Sequence, residues 1–238
     1  MLLRLFLIGC FFSVFLHSAT GQDEEVGGFY FGPKIGGTLG TQNWDGFERR
    51  SMINYHGAVF IESIDPEFKG SFFAQLGYHS RGSGWTGATN FVVSNRSFVF
   101  RNLSLMVGAK KRLLTKTLKT PYYFLGGRVE YQLSNNLRDI QNRTAFPIFF
   151  PFPENVNKVT YGISFGGGIE FLGSDYVHPA LELTISPDLS FQYQAGAIPN
   201  VLNPYTGQPV TLPERSIRNV TVELSLVIRF MRRIVYIN

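Results

Sequence analysis

The sequence predicts an all-β fold: an eight-stranded antiparallel up-and-down transmembrane β-barrel with long external loops and short periplasmic turns. Three observations predict it. First, the last regular stretch, Asn219–Phe230, alternates with period two. Val220, Val222, Leu224, Leu226, Ile228 and Phe230 take one face, and Asn219, Thr221, Glu223, Ser225, Val227 and Arg229 take the other. Second, seven earlier stretches alternate in the same way, and the connections between the eight run long, short, long, short, long, short, long. Membrane barrels show that asymmetry, with an even strand number. Third, the polar parity gathers charges of both signs, whereas a soluble ligand-binding barrel fills its interior with apolar groups.

The elements follow in order. Gly28–Gly37 sets Phe29, Phe31, Pro33 and Ile35 against Tyr30, Gly32, Lys34 and Gly36. A polar stretch, Thr38–Ile53, reads as a loop before the second strand, Asn54–Ser63, where Tyr55, Gly57, Val59 and Ile61 face away from His56, Ala58, Phe60 and Glu62. Asp65–Gly70 is a proline- and glycine-bearing turn. In Ser71–His79, Phe72, Ala74, Leu76 and Tyr78 oppose Phe73, Gln75, Gly77 and His79, and Ser80–Ser97 reads as a second loop. The fourth strand, about Phe98–Lys111, sets Leu103, Leu105, Val107 and Ala109 against Asn102, Ser104, Met106, Gly108 and Lys110.

A basic turn with Arg112, Lys116 and Lys119 leads to Tyr122–Leu133, where Tyr123, Leu125, Val129 and Tyr131 oppose Phe124, Gly126, Arg128, Glu130 and Gln132. Asn135–Lys158 is the longest connection. In Val159–Phe171, Tyr161, Ile163, Phe165, Ile169 and Phe171 face away from Thr160, Gly162, Ser164, Gly166, Gly168 and Glu170. After the turn Gly173–His178, Leu181, Leu183, Ile185 and Leu189 alternate with Glu182, Thr184, Ser186 and Asp188. A proline-rich loop, Ala195–Arg215, precedes the last strand.

Met1–Gly21 has the parts of a secretory leader: Arg4, an apolar run Leu5–Leu16, and Ala19-Thr20-Gly21 before Gln22. Residues 22–27 would be a short N-terminal segment, 28–230 the barrel and 231–238 a periplasmic tail. The leader could also be read as a spanning helix, but it is short for a bilayer's hydrocarbon core. Leu7-Ile8-Gly9-Cys10 resembles a lipobox, yet the apolar run continues past Cys10. Cys10 is the one cysteine, so a processed chain holds no disulfide and no thiolate ligand. The chain carries 22 Lys and Arg against 17 Asp and Glu, and removing Arg4 leaves 21 against 17, a net charge of +4. The excess is mild and spread, which does not point to nucleic acid. A mean hydropathy of +0.02 is compatible with a membrane barrel, whose lumen and loops dilute its apolar face.

Leu103–Lys111, Pro121-Tyr122-Tyr123-Phe124-Leu125-Gly126-Gly127, Tyr161-Gly162 and Gly166-Gly167-Gly168-Ile169-Glu170-Phe171 together resemble the PorT-like outer-membrane β-barrel family of the Bacteroidota. Gly32-Pro33-Lys34-Ile35-Gly36-Gly37 and Leu224–Phe230 resemble that family's first and last strands. The resemblance implies an outer-membrane barrel. The family's namesake is an accessory of the type IX secretion system, and the family brings no catalytic motif to transfer.

Lys34, Glu62, Lys110, Arg128, Glu130, Glu170, Glu182, Glu223 and Arg229 are expected to share the lumen. In so narrow a barrel they must pair, because an isolated buried charge is very costly. His56, His79 and His178 lack metal-ligand spacing, so no cofactor and no metal is expected. His79 lies beside Ser80, Arg81 and Ser83, a grouping that a rim hydrolase or acyltransferase could use and that also arises by chance in a polar lumen. Lys110, Lys111, Arg112, Lys116 and Lys119, with Arg232-Arg233, would meet anionic headgroups or a periplasmic partner. The run Ala145–Pro153 carries Phe146, Phe149, Phe150 and Phe152, and it needs cover: the barrel mouth, the outer leaflet or a partner protein. The expected role is non-enzymatic, structural or interactive, at the cell envelope, with outer-membrane lipid and an envelope or secretion protein as partners. The alternatives are an outer-membrane enzyme, a narrow pore and a soluble secreted barrel.

Overall fold

The computed structural model describes residues 27–42, 48–64, 70–89, 92–113, 119–144, 146–171, 173–174, 176–204 and 206–234. The expected leader Met1–Gly21, residues 22–26, Lys116 and residues 235–238 lie outside them. The regular elements are β1 (Gly27–Thr41), β2 (Glu48–Ile64), β3 (Gly70–Thr89), β4 (Val92–Arg112), β5 (Lys119–Asn135), α1 (Leu137–Asn142), β6 (Val159–Phe171) and β7 (Val177–Pro187). They continue with β8 (Tyr193–Ala195), β9 (Ile198–Leu202), β10 (Pro209–Leu212), β11 (Arg215–Ile217) and β12 (Val220–Ile234). Eight strands close a barrel in the order β1-β12-β7-β6-β5-β4-β3-β2. Every neighbouring pair in it is antiparallel. The four short strands β8–β11 lie within the connection from β7 to β12, as the ladders β8–β11 and β9–β10.

Gly27 pairs with Ile234 and Gly28 with Ile64, so the start of β1 and the end of β12 share one rim with the ends of β2, β4 and β6. That rim is the turn end. The connections after β1, β3, β5 and β7 gather at the opposite, loop end. Closure satisfies the backbone groups that an open sheet would leave along its edges.

The predicted parities hold on every barrel strand. On β12, Leu224, Leu226, Ile228 and Phe230 face outward and are exposed, while Glu223, Ser225, Val227 and Arg229 are buried inside. The outward face is an apolar belt with aliphatic residues at mid-height, among them Ile35, Val59, Leu105, Leu125 and Leu183. Aromatic residues flank it: Phe31, Phe72, Tyr123, Phe171 and Phe230 toward the turn end, and Tyr55, Tyr78, Tyr131 and Tyr161 toward the loop end. The arrangement inverts a soluble protein, with large apolar side chains outside and charges within.

Five stretches differ from expectation. Thr38–Ile53 and Ser80–Ser97 read as loops, yet β1 runs to Thr41, β2 begins at Glu48, β3 runs to Thr89 and β4 begins at Val92. Beyond the belt both faces of a strand meet polar surroundings, so the apolar alternation stops while the backbone ladder continues. Ala195–Arg215 likewise holds strands where a loop was expected, and Asn135–Lys158 contains α1. The tail expected from residue 231 remains strand to Ile234, paired with β1. Where β4 outruns β5, Asn136 takes the ladder's place. Its Oδ1 accepts from Val99 N at 2.8 Å, its own N–H donates to Val99 O at 3.2 Å, and its Nδ2 donates to Ser97 O at 2.8 Å.

Lumen-facing glycines make room for the charged filling. A Cβ at Gly36 would press on the Leu224 carbonyl and lie 2.9 Å from Cε1 of His56. Outward Gly127 has nothing within 4 Å of the same position. Gly36→Leu should therefore destabilise the folded barrel, by about 1–3 kcal/mol as overpacking does, whereas Gly127→Leu should fold normally. The temperature at which detergent-solubilised barrel loses its compact electrophoretic mobility measures both.

Candidate functional site: the lumen and its external cap

All nine charges predicted for the lumen point into it and are buried. Three more join them: Arg81, Arg112 and Asp188. The described lumen thus holds six cations (Lys34, Arg81, Lys110, Arg112, Arg128, Arg229) and six carboxylates (Glu62, Glu130, Glu170, Glu182, Asp188, Glu223). Arg112 was expected in the basic turn. It shares the parity of Lys110, and its guanidinium turns back inside to Glu62 and Glu170. Asp188 continues the inward parity of β7, with Leu189 outward beside it, and Arg81 continues that of β3 where the outward apolar pattern has ended.

The pairs form two groups. At the turn end Glu62 accepts from Lys110 Nζ at 2.8 Å, Arg229 Nη2 at 2.9 Å, Ser71 Oγ at 2.6 Å and Arg112 Nη2. Glu170 pairs with Arg112 Nε at 3.1 Å and with Arg229 Nη1. Tyr30 lies beneath both guanidiniums, 4.1 Å from Arg229 and 5.4 Å from Arg112. Glu182 binds Lys34 Nζ at 2.5 Å and accepts from the Tyr122 hydroxyl at 2.8 Å. Apolar rings and chains (Phe73, Met106, Phe124, Val227) pack around these pairs. They leave a cavity of about 20 Å³ lined by Lys34, Glu62, Lys110 and Glu182, room for little more than one water.

Toward the loop end, Arg81 and Arg128 share Glu130 at 2.8 and 3.0 Å. Both also reach Asp188, Arg81 at 3.6 Å. Asn102 donates to Glu130 at 2.8 Å and Asn219 to Asp188 at 3.2 Å. His79 Nδ1 meets Glu223 Oε1 at 2.8 Å, and His56 stacks on the His79 ring at 5.5 Å between centroids. His56 itself bridges Thr38 and Ser225, each at 2.9 Å. Above lies an amide layer in which Gln42 donates to Gln192 at 2.8 Å and to Asn219.

The serines beside His79 do not complete a nucleophilic triad. Ser83 donates to Gln42 at 3.4 Å, Ser80 lies on the opposite parity, and His79 Nε2 has no hydrogen-bond partner. The His79–Glu223 pair is a buried element of the charge network. His178 sits apart, its ring 5.8 Å from that of Tyr30. Among the described residues no three His, Cys, Asp or Glu side chains converge as metal ligands.

A cap covers the loop end. Phe98 and Phe100 occupy inward positions at the top of β4, and Leu137 and Ile140 of α1, Tyr193 of β8 and Ile217 of β11 bury against them. Phe150 packs on this cluster, and Phe150 and Phe152 line a crevice with Ile198 of β9 and Leu212 of β10. Phe149 fixes its place through its carbonyl, which accepts from Arg215 Nη1 at 3.1 Å. Phe146 stays 43% exposed. Three of the four phenylalanines therefore belong to the outer layer of the cap. The signal for the core beneath it was Phe98 and Phe100, two apolar residues in succession on a parity where the next two, Asn102 and Ser104, are polar.

Arg128→Ala would leave Asp188 and Glu130 short of a counter-charge. It should lower stability by about 3–5 kcal/mol, as the loss of one partner of a buried pair does, read from urea unfolding in detergent. Phe150→Ser should cost about 1–2 kcal/mol of apolar burial and speed proteolysis within residues 144–158. Phe146→Ser, at a ring that stays 43% exposed, should speed it less.

No family model matches the chain, and no curated protein matches it. Among solved structures it is similar to the outer membrane protein OprG from Pseudomonas aeruginosa, with a TM-score of 0.48, 8% identity, and 91% of this chain covering 100% of that one. It is also similar to Neisserial surface protein A, with a TM-score of 0.43, 9% identity, and coverage of 86% and 98%. The outer membrane protease OmpT from Escherichia coli gives a TM-score of 0.39, 9% identity, and coverage of 90% and 100%. The barrel rests on its own strand pairing, and these likenesses carry nothing about activity.

Proposed function

We propose that this protein spans an outer membrane as a solute-tight barrel and serves a structural or interaction role at the envelope, through its capped external end. The observation that carries the membrane reading is the spacing of charges along β4. Arg101 and Lys111 both lie on outward positions, with Leu103, Leu105, Val107 and Ala109 between them. Ten residues at about 3.3 Å each run about 33 Å along the strand. A tilt of about 40° leaves about 25 Å along the barrel axis, the height of the apolar band of outer-membrane barrels. The flanking aromatic rings match interfacial girdles, and the secretory leader read in Met1–Gly21 would deliver the chain across the inner membrane.

A lumen filled by paired charges under an apolar cap supports a closed barrel over a pore, and it offers a substrate no entry. The chemistry exposed to partners is therefore on the outside: the cap and the two rims. The resemblance to PorT-like barrels adds a specific form of this reading, an accessory of type IX protein secretion.

The membrane reading is tested at Leu224, mid-belt and 54% exposed. Leu224→Arg should cost about 2–4 kcal/mol at the bilayer midplane and abolish assembly into vesicles, while Ser225→Ala, inside, should still assemble. Efficient assembly of the arginine variant would overturn it. In planar bilayers the unmodified barrel should show no steady conductance, and large stable channels would exclude the solute-tight account.

A further inference from the structure

We propose that the upper edge of β4, residues 92–97, is a docking site for one extended peptide segment of a partner protein, which adds to the sheet as a strand beside α1. The inference deepens the interaction reading of the external end and rests on it. β3 and β4 outrun the barrel together, paired as far as Thr89 and Val92, whereas β5 leaves β4 at Asn135, opposite Phe100. Beyond that point β4 has β3 on one side and, among the described residues, no strand on the other. Of the two connections on the open side, 136–158 and 188–219, only Ala145 and Tyr205 lie outside the described residues.

The clamp of Asn136 fixes which main-chain groups face the open side. Val99 exchanges both of its groups with Asn136, and the Ser97 carbonyl accepts from Asn136 Nδ2. In an antiparallel ladder alternate residues turn their main-chain groups the same way, so Asn95 and Val93 also point theirs away from β3. The clamp stops at Ser97. Above it the edge repeats every two residues, about 6.6 Å, and the group that matches such a row is another extended main chain. A second observation gives that chain a place to lie. Between the edge and α1 is an open cleft of about 320 Å³, lined by Ser97, Asn136, Asp139, Ile140 and Arg143. Ile140 is its buried apolar part, while Asp139 and Arg143 are exposed. The Arg143 guanidinium favours one carboxylate on the incoming strand, and Asp139, one turn back on the helix, disfavours a second. With α1 as its wall the cleft admits a single strand and turns away the edge of a second barrel. The site stands beyond outward Arg101, above the apolar belt, so a soluble segment reaches it without displacing lipid.

The test is binding of fluorescein-labelled Thr-Val-Glu-Val-Thr to the whole folded barrel in detergent, read by anisotropy. Two copies of the peptide carry N-methyl groups on its odd or on its even residues. One set of methyls would face β4 and should abolish binding, while the other would face solvent and should leave it intact. Asn95→Pro removes a donor from the open side, spares the ladder to β3, and should weaken the peptide about ten-fold. Replacing the peptide's Glu by Gln should weaken it about three-fold, and in Arg143→Gln that difference should vanish. Equal binding of the two methylated copies overturns the site, as does unchanged affinity in Asn95→Pro. A barrel dimer in sedimentation that Asn95→Pro disperses would assign the edge to a second copy and overturn the peptide. No binding by an unmodified barrel that assembles in vesicles also overturns the site, and leaves the membrane-spanning reading in place.

Discussion

The structure depends on the mutual neutralisation of charges in a space too narrow to hydrate them. Eight strands leave an interior just wide enough for side chains, and Arg81, fully shielded from solvent, is tolerated there because Glu130, Asp188 and Glu223 surround it. Each carboxylate at the turn end is in turn held by more than one donor. Such a network is weak as a source of net stability compared with an apolar filling, but it is severe toward any arrangement that leaves one member unmatched. Strand register is thereby specified from inside the barrel as well as by hydrogen bonding. Sliding β12 by two residues would carry Arg229 and Glu223 away from Glu62 and His79 together.

The outer face imposes the complementary constraint. A belt of aliphatic side chains between two aromatic rows has no preferred register of its own, since one leucine resembles the next. Glycines then adjust the wall to its contents. Those facing inward lie against neighbouring carbonyls and rings, as at Gly36 and at Gly166, where a Cβ would lie 2.7 Å from Phe124 Cζ. The sheet is close-packed on one side and featureless on the other, so the information that specifies the fold is concentrated in the lumen.

This division explains what the sequence disclosed. Period-two patterning reports a strand only while its two faces meet different media. Leu103 to Lys111 was readable for that reason, and Ser80 to Thr89 was not, although the same strand ladder continues through it. Arg81 escaped the lumen set because it lies past the last apolar outward residue of its patterned stretch, and Arg112 because it stands among the basic residues of a turn, whereas Asp188 stood on the polar parity of its stretch beside outward Leu189 and carried the same signal as the nine. The cap was hidden for another reason. Its core joins Phe98 to Tyr193 and Ile217, residues brought together only by closure of the barrel, and no local pattern encodes that contact. The run around Phe149 and Phe150 announced that it needed cover, without stating that strands from the β7–β12 connection supply it.

The clamp of Asn136 on β4 has a consequence for how the chain behaves in company. Above the point where β5 ends, β4 would present bare backbone donors and acceptors, a template on which a foreign strand could lay itself. One side-chain amide and its own peptide group occupy Ser97 and Val99 instead. Because Asn136 leads directly into α1, whose Leu137 and Ile140 are anchored in the apolar core, that protection is as durable as the burial of two aliphatic side chains. A lesion that loosened the helix would thus do more than uncover apolar surface. It would give the barrel a sticky seam, along which a second copy could lay its own exposed strand.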